Sequence, residues 1–144
     1  DLLIEECDGL EIKIPIRQKA KALKINTIYC ADDRGLLSVE PYGNDPDYPI
    51  FHGFLTESQP ARSTYKDDAE FLKALAVWCG GWDVIAERSR QSLAAIGKTT
   101  CGYPQLASEA RFAAGQLGNV ARRLLLGEQI PAFFKHIDLE EIVA

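Results

Sequence analysis

The chain has 144 residues, 47% of them hydrophobic and 26% charged, with a formal net charge of −5; that balance excludes a disordered or fibrous chain and fits one globular domain with its own core. Its longest run without a polar or charged residue, Ala74 to Trp82, falls far short of the roughly 20 residues a membrane-spanning helix needs. An acidic chain repels phosphate backbones, which disfavours direct nucleic-acid binding.

Four cysteines, Cys7, Cys30, Cys79 and Cys101, are widely spaced, with no close pair of the kind a zinc site or a dense disulfide scaffold shows. No secretory signal pattern is legible. The expectation is a cytoplasmic protein with reduced, mostly buried thiols. The acidity is uneven: residues 1–57 hold eleven acids against six bases, while residues 58–144 hold ten of each.

Leu2 to Glu6 and Leu10 to Ile14 flank Cys7-Asp8-Gly9, and the second run alternates apolar with charged residues. Alternation is the period of a half-buried strand, and Asp-Gly accepts the positive φ of a tight turn, so the pattern predicts a hairpin. Thr27 to Ala31 and Leu36 to Glu40, joined by Asp32-Asp33-Arg34-Gly35, predict a second. Between them, Arg17 to Lys24 has helix-forming residues but bases on alternate positions, and reads as a short helix or an extended connector.

Pro41 to Pro49 carries three prolines and three Asn or Asp residues, the composition of a surface loop. Ile50 to Leu55 predicts one further strand, and residues 58–63 a linker into a helical half.

Thr64 with Asp67 resembles a capping box, followed by Phe71, Leu72, Leu75, Trp78 and Cys79 on one helical face as far as Gly80-Gly81. Asp83 can cap a second helix with Ile85, Ser89, Leu93 and Ile96 inward and a stop at Gly97. Pro104 suits the first turn of a long third helix ending near Leu126. Its stripe is Leu106, Ala110, Ala113, Leu117, Val120, Ala121 and Leu124, and Gly115 and Gly118 permit a bend, each weakening the helix by about 1 kcal/mol against alanine. Ile130, Phe134, Ile137, Leu139, Ile142 and Val143 predict a last helical segment or two.

The fold class expected is therefore α+β: an N-terminal antiparallel sheet of two hairpins and one strand over about residues 2–55, packed on three to four helices over about residues 65–143. Neither half is large enough to fold comfortably alone, so residues 1–144 read as a single domain with one shared core.

The candidate sites follow from residue chemistry. Gly97-Lys98-Thr99-Thr100 looks like the end of a phosphate-binding loop, but position 92 is Ser where the motif needs glycine, and a helix precedes it where a strand should. For thiol catalysis, Cys101 lies just before a predicted helix N-terminus, the place that favours a thiolate, with His52 and His136 as the available bases. Asn44, Asp45 and Asp47 have a calcium-loop look without the closing glutamate, so neither a metal nor a cofactor is expected. A basic segment spans Lys13, Arg17, Lys19, Lys21 and Lys24, and Gly115 with Arg122-Arg123 loosely resembles a helix-turn-helix, although the apolar stripe stays in phase across Gly115.

Tyr42, Asp45, Asp47, Tyr48 and Trp82 combine aromatic and acidic side chains in predicted loops, the mixture that protein interfaces use. The leading expectation is a non-enzymatic binding protein, in the manner of an acidic inhibitor or an immunity or anti-defence protein, docking on a basic surface of another protein, including one that handles nucleic acid. A homo-oligomer is compatible with this. Two alternatives compete: a small cysteine-dependent enzyme or ligand-binding domain using Cys101 with a histidine, and a nucleic-acid-binding regulator using Lys19, Lys21 and Lys24.

Overall fold

A computed structural model describes residues 1–7, 10–54, 65–67, 70, 73, 76, 80–102 and 105–143. The chain runs β1 (Leu2–Glu5), α1 (Leu10–Ala22), β2 (Asn26–Ala31), β3 (Leu36–Glu40), a 3-10 turn (Ile50–Gly53), α2 (Glu87–Ala95), α3 (Ala107–Leu125), β4 (Phe133–Lys135) and α4 (Leu139–Val143). One sheet of four strands has the order β1-β2-β3-β4. The α+β class holds, and the C-terminal half supplies the fourth strand, so the two halves share one sheet.

The sheet is mixed. β1 pairs with β2 in parallel, whereas β2–β3 and β3–β4 are antiparallel. The first predicted hairpin is thereby corrected: Leu10 to Ile14 opens a crossover helix, which a parallel pair requires because a tight turn cannot return the chain in the same direction. Lys13 and Arg17 stand one helical turn apart, so in a helix both reach the sheet together. They do so despite Pro15 inside α1, which removes a helical amide.

The second predicted hairpin is observed, with Ile28 opposite Val39 and Tyr29 opposite Ser38. Where a strand is expected over Ile50 to Leu55, Ile50–Gly53 form a 3-10 turn, with Phe51 and His52 at φ 47° and 54°, and Leu55 lies outside the described residues. The last expected helix is replaced in part by β4, whose Phe134 pairs with Ser38. α2 begins at Glu87 rather than after an Asp83 cap, and α3 is one uninterrupted helix, which removes the helix-turn-helix likeness. The linker at 58–63, Thr64, the apolar face Phe71 to Cys79 without Lys73 and Ala76, and Pro104 lie outside the described residues.

Register sorts the side chains onto two faces. Ile4, Ile28, Val39 and Phe133 form one row across all four strands. This face packs against Ala113, Val120 and Ala121 of α3, with Leu117, Leu124 and Ile130 around them. Full burial of Ile28 and Val39 contributes about 1.5–3 kcal/mol each. The next row, Glu5, Tyr29, Ser38 and Phe134, points to the other face, beneath α1 and the 3-10 turn. That face is polar.

At one end of the sheet Arg34, in the β2–β3 turn, ties the C-terminal elements down. Its amide donates to Glu109 (2.7 Å), its Nε to Asp138 (2.8 Å), its Nη1 to the Val84 carbonyl (3.0 Å) and its Nη2 to Glu141 (3.2 Å). The Ile137 amide in turn donates to the Arg34 carbonyl at 2.9 Å.

Candidate functional site

Two acids at inward strand positions, Glu5 and Glu40, meet two bases on the inward side of α1. Lys13 Nζ donates to Glu5 Oε1 (2.9 Å), Arg17 Nη1 to Glu5 Oε2 (2.5 Å) and Arg17 Nε to Glu40 Oε2 (2.7 Å). All four side chains are buried. Burial alone would push the Glu5 carboxyl up, but Arg17 and Lys13 hold it below the ordinary carboxylate range. Burial likewise works against the Arg17 cation, and Glu40 and Glu5 raise its pKa in spite of it. The guanidinium also lies 3.9 Å from the Phe51 ring centroid.

Glu40 links this ion network to a second one. Its Oε1 accepts the Tyr42 hydroxyl (2.7 Å) and the Phe51 amide (2.5 Å). That second bond holds the left-handed turn through Phe51 and His52, a conformation that costs L residues energy. The turn aims the His52 imidazole back at the sheet. Its Nε2 lies 2.7 Å from Ser38 Oγ and its Nδ1 2.7 Å from the Tyr48 hydroxyl. Burial lowers the His52 pKa, with Glu40 opposing and Arg17 reinforcing the shift.

An aromatic cluster surrounds the imidazole. The Phe134 ring stands edge-on to His52 at 5.4 Å, to Phe54 at 5.1 Å and to His136 at 5.8 Å. Both histidines of the chain thus flank one phenyl ring. Gly80 approaches the same ring: a Cβ there would lie 2.9 Å from Phe134 Cε1, and its φ of +96° also requires glycine.

The hydrogen-bonded order Ser38–His52–Tyr48 has the form of nucleophile, base and orienting group. Ser38, however, is only 2% exposed and sits in mid-strand, so the arrangement holds the 41–54 segment on the sheet without presenting a hydroxyl to solvent.

The acidic loop lies beside this network. Lys21 Nζ donates to the carbonyls of Asp47 (3.2 Å) and Tyr48 (2.8 Å), and the Gly43 amide donates to Asn26 Oδ1 (2.7 Å). The Asp45 amide closes on the Pro41 carbonyl at 2.7 Å. The loop backbone is held on both sides, and the Asp45 and Asp47 side chains are exposed.

The residues expected from sequence are only partly brought together. Tyr42 is 0% exposed, which corrects its reading as a surface contact: its ring fills the core beneath α1 while its hydroxyl pairs with Glu40. Tyr48 and Trp82 are half-buried, and the Lys73 ammonium lies 5.7 Å from the Trp82 ring centroid. Cys101 is exposed, and the ring nitrogens of His52 lie against the hydroxyls of Ser38 and Tyr48. Among the other thiols, Cys30 is buried and pushed up to about 12 by burial and by the acids Glu6 and Asp32. In the basic segment Lys13 and Arg17 are consumed by buried pairs and Lys21 by loop carbonyls, while Lys19 and Lys24 are exposed.

Sequence reasoning overlooked Glu5, Ser38, Glu40 and Phe134. One signal could have found the acids: Glu5 and Glu40 fall on the inward phase of their strands, and the inward bases needed to neutralise them stand four apart at 13 and 17. No group of three or more His, Cys, Asp or Glu side chains among the described residues is arranged to hold a metal ion, and no described helix is long and apolar enough to cross a membrane.

The fold and this strip define a small α+β domain with a charge-balanced ion and hydroxyl network under its crossover helix, in which Arg17 Nη2 is buried without a hydrogen-bond partner. No family model matches the chain. It is similar to the uncharacterized protein MT1398 of Mycobacterium tuberculosis (strain CDC 1551 / Oshkosh), 32% identical over an alignment of 142 residues that covers 96% of this chain and 19% of that protein. The chain thus spans 19% of the length of the relative it matches. No solved structure matches.

Proposed function

We propose that this segment is a non-catalytic binding module that docks its acidic loop on a basic surface of another protein, in the manner of an acidic inhibitor. The observation that carries the reading is the loop itself: Asp45 and Asp47 are exposed while Lys21, Asn26 and the Pro41 carbonyl fix the backbone beneath them. A preorganised loop loses little conformational entropy on binding, and its carboxylates steer a cationic partner. The burial of Ser38 and the engagement of His52 by hydroxyls favour binding over catalysis.

The test is capture of a partner from the native host at low and moderate salt, followed by titration against the Asp45→Ala/Asp47→Ala double variant. Weaker affinity and a flatter salt dependence support the proposal. Identical affinity and salt slope for variant and parent sink it.

A second reading has one observation behind it, the 2.7 Å contact between Ser38 and His52. A hydrolytic role requires solvent to reach Ser38, so covalent labelling by a fluorophosphonate, lost in Ser38→Ala, would put the catalytic reading first.

A further inference from the structure

β1 is a terminal strand, and among the described residues nothing pairs with its outer edge. Ile4 is 48% exposed, whereas Ile28, its register partner one strand further in, is 0% exposed. Both belong to the row facing α3, so burial along that row falls off abruptly at β1.

Three features set this edge apart from a solvent-adapted one. First, β1 is parallel to its neighbour, and wholly parallel sheets occur almost only with both faces covered. Here α3 and α1 cover the two faces. Second, Leu2-Leu3-Ile4-Glu5 has no lysine, proline or bulge to keep further strands off, its edge protection being limited to its shortness and to the inward, ion-paired Glu5. Third, the helix that packs on this face also ends in exposed apolar residues. Leu125 and Leu126, at the end of α3, are 65% and 73% exposed, next to Leu124, which packs on the same core as Leu2.

We infer that β1 is an internal strand of a wider sheet, and that its outer edge takes a further apolar strand, parallel to it, from polypeptide beyond residues 1–144. The matched relative supplies the argument for that source, since the aligned stretch is 19% of its length and most of that chain lies outside the alignment. A second copy fits worse: pairing two four-residue strands edge to edge buries far less than the roughly 1,200–2,000 Å² of a stable interface. The inference is independent of the acidic loop, which lies at the end of β3.

Residue-resolved hydrogen exchange on the full-length polypeptide carrying this segment tests it. The outward amides of Leu2–Glu5 are expected to exchange at least about 100-fold more slowly than unstructured amides, unchanged across protein concentration. In the same protein Ile4→Asp is expected to lower the melting midpoint. Exchange within about tenfold of the unstructured rate would overturn the inference by showing an open edge. Protection that grows with concentration would overturn it in favour of self-association. A silent Ile4→Asp would contradict burial of that side chain.

Discussion

Glu40 and Phe51 are eleven residues apart in sequence, and the carboxylate of the first accepts the amide of the second at 2.5 Å. Through that bond the ion network under α1 sets the position of His52, because the Phe51–His52 backbone is left-handed and needs an external tether. Arg17 completes the tether by binding the other oxygen of Glu40 and covering the Phe51 ring. Charge burial, loop geometry and imidazole placement are therefore one coupled unit.

Glu40→Ala should cost about 3–5 kcal/mol, because it leaves the buried guanidinium with Glu5 as its remaining carboxylate and frees the Phe51 amide and the Tyr42 hydroxyl together. Urea unfolding measures this directly. A loss below about 1 kcal/mol would mean that the network relaxes without Glu40.

Arg17→Lys should also destabilise, even though the charge is kept. A guanidinium spans Glu5 and Glu40 with two different nitrogens, and an ammonium cannot reproduce that fork. Parental stability in Arg17→Lys would show that charge alone suffices.

The His52 contribution to stability should grow as pH rises toward the ordinary histidine value of 6.5 and then level off. Its folded pKa lies below the ordinary 6.5, so the unfolded chain binds the extra proton first, and stability present above 6.5 is lost as pH falls toward the folded value. Glu5, also depressed, acts in the same direction but only below its ordinary 4.5. Denaturation midpoints of the parent and of His52→Gln across this range separate the two, since the variant should lose the slope near neutrality and keep the acidic one.

Two glycine substitutions should move in opposite directions. Gly80→Ala meets Phe134 at 2.9 Å with φ at +96° and should cost about 1–3 kcal/mol. Gly118→Ala faces open space inside α3 and should stabilise by about 0.5–1 kcal/mol. Thermal melts of both variants provide the check.

The parts of this fold legible in sequence are those encoded locally. The Thr27 to Glu40 hairpin was readable because its turn and both flanking runs are contiguous, and α3 because Ala113, Leu117, Val120, Ala121 and Leu124 keep helical phase. Leu10 to Ile14 was not, because its apolar residues at 10, 12 and 14 suit a strand, and only the distant pairing of β1 with β2 makes a crossover helix necessary. Phe133–Lys135 adds an edge strand whose partner lies far upstream, beyond the reach of periodicity. The polar strip was hidden for the same reason. Lys13 and Arg17 read as a solvated basic face until Glu5 and Glu40 are placed opposite them, and Ser38 carries no sign of an imidazole fourteen residues on.

The pairing of β4 with β3 has a consequence for biogenesis. Ser38 leaves the ribosome long before Phe134, its neighbour across the sheet. During synthesis the β2–β3 hairpin therefore waits with one flank bare while about a hundred residues follow, at roughly 5–20 residues per second. Chaperone dependence should concentrate in that interval, and a stop codon placed before Phe133 should yield an aggregating product rather than a slightly shortened fold.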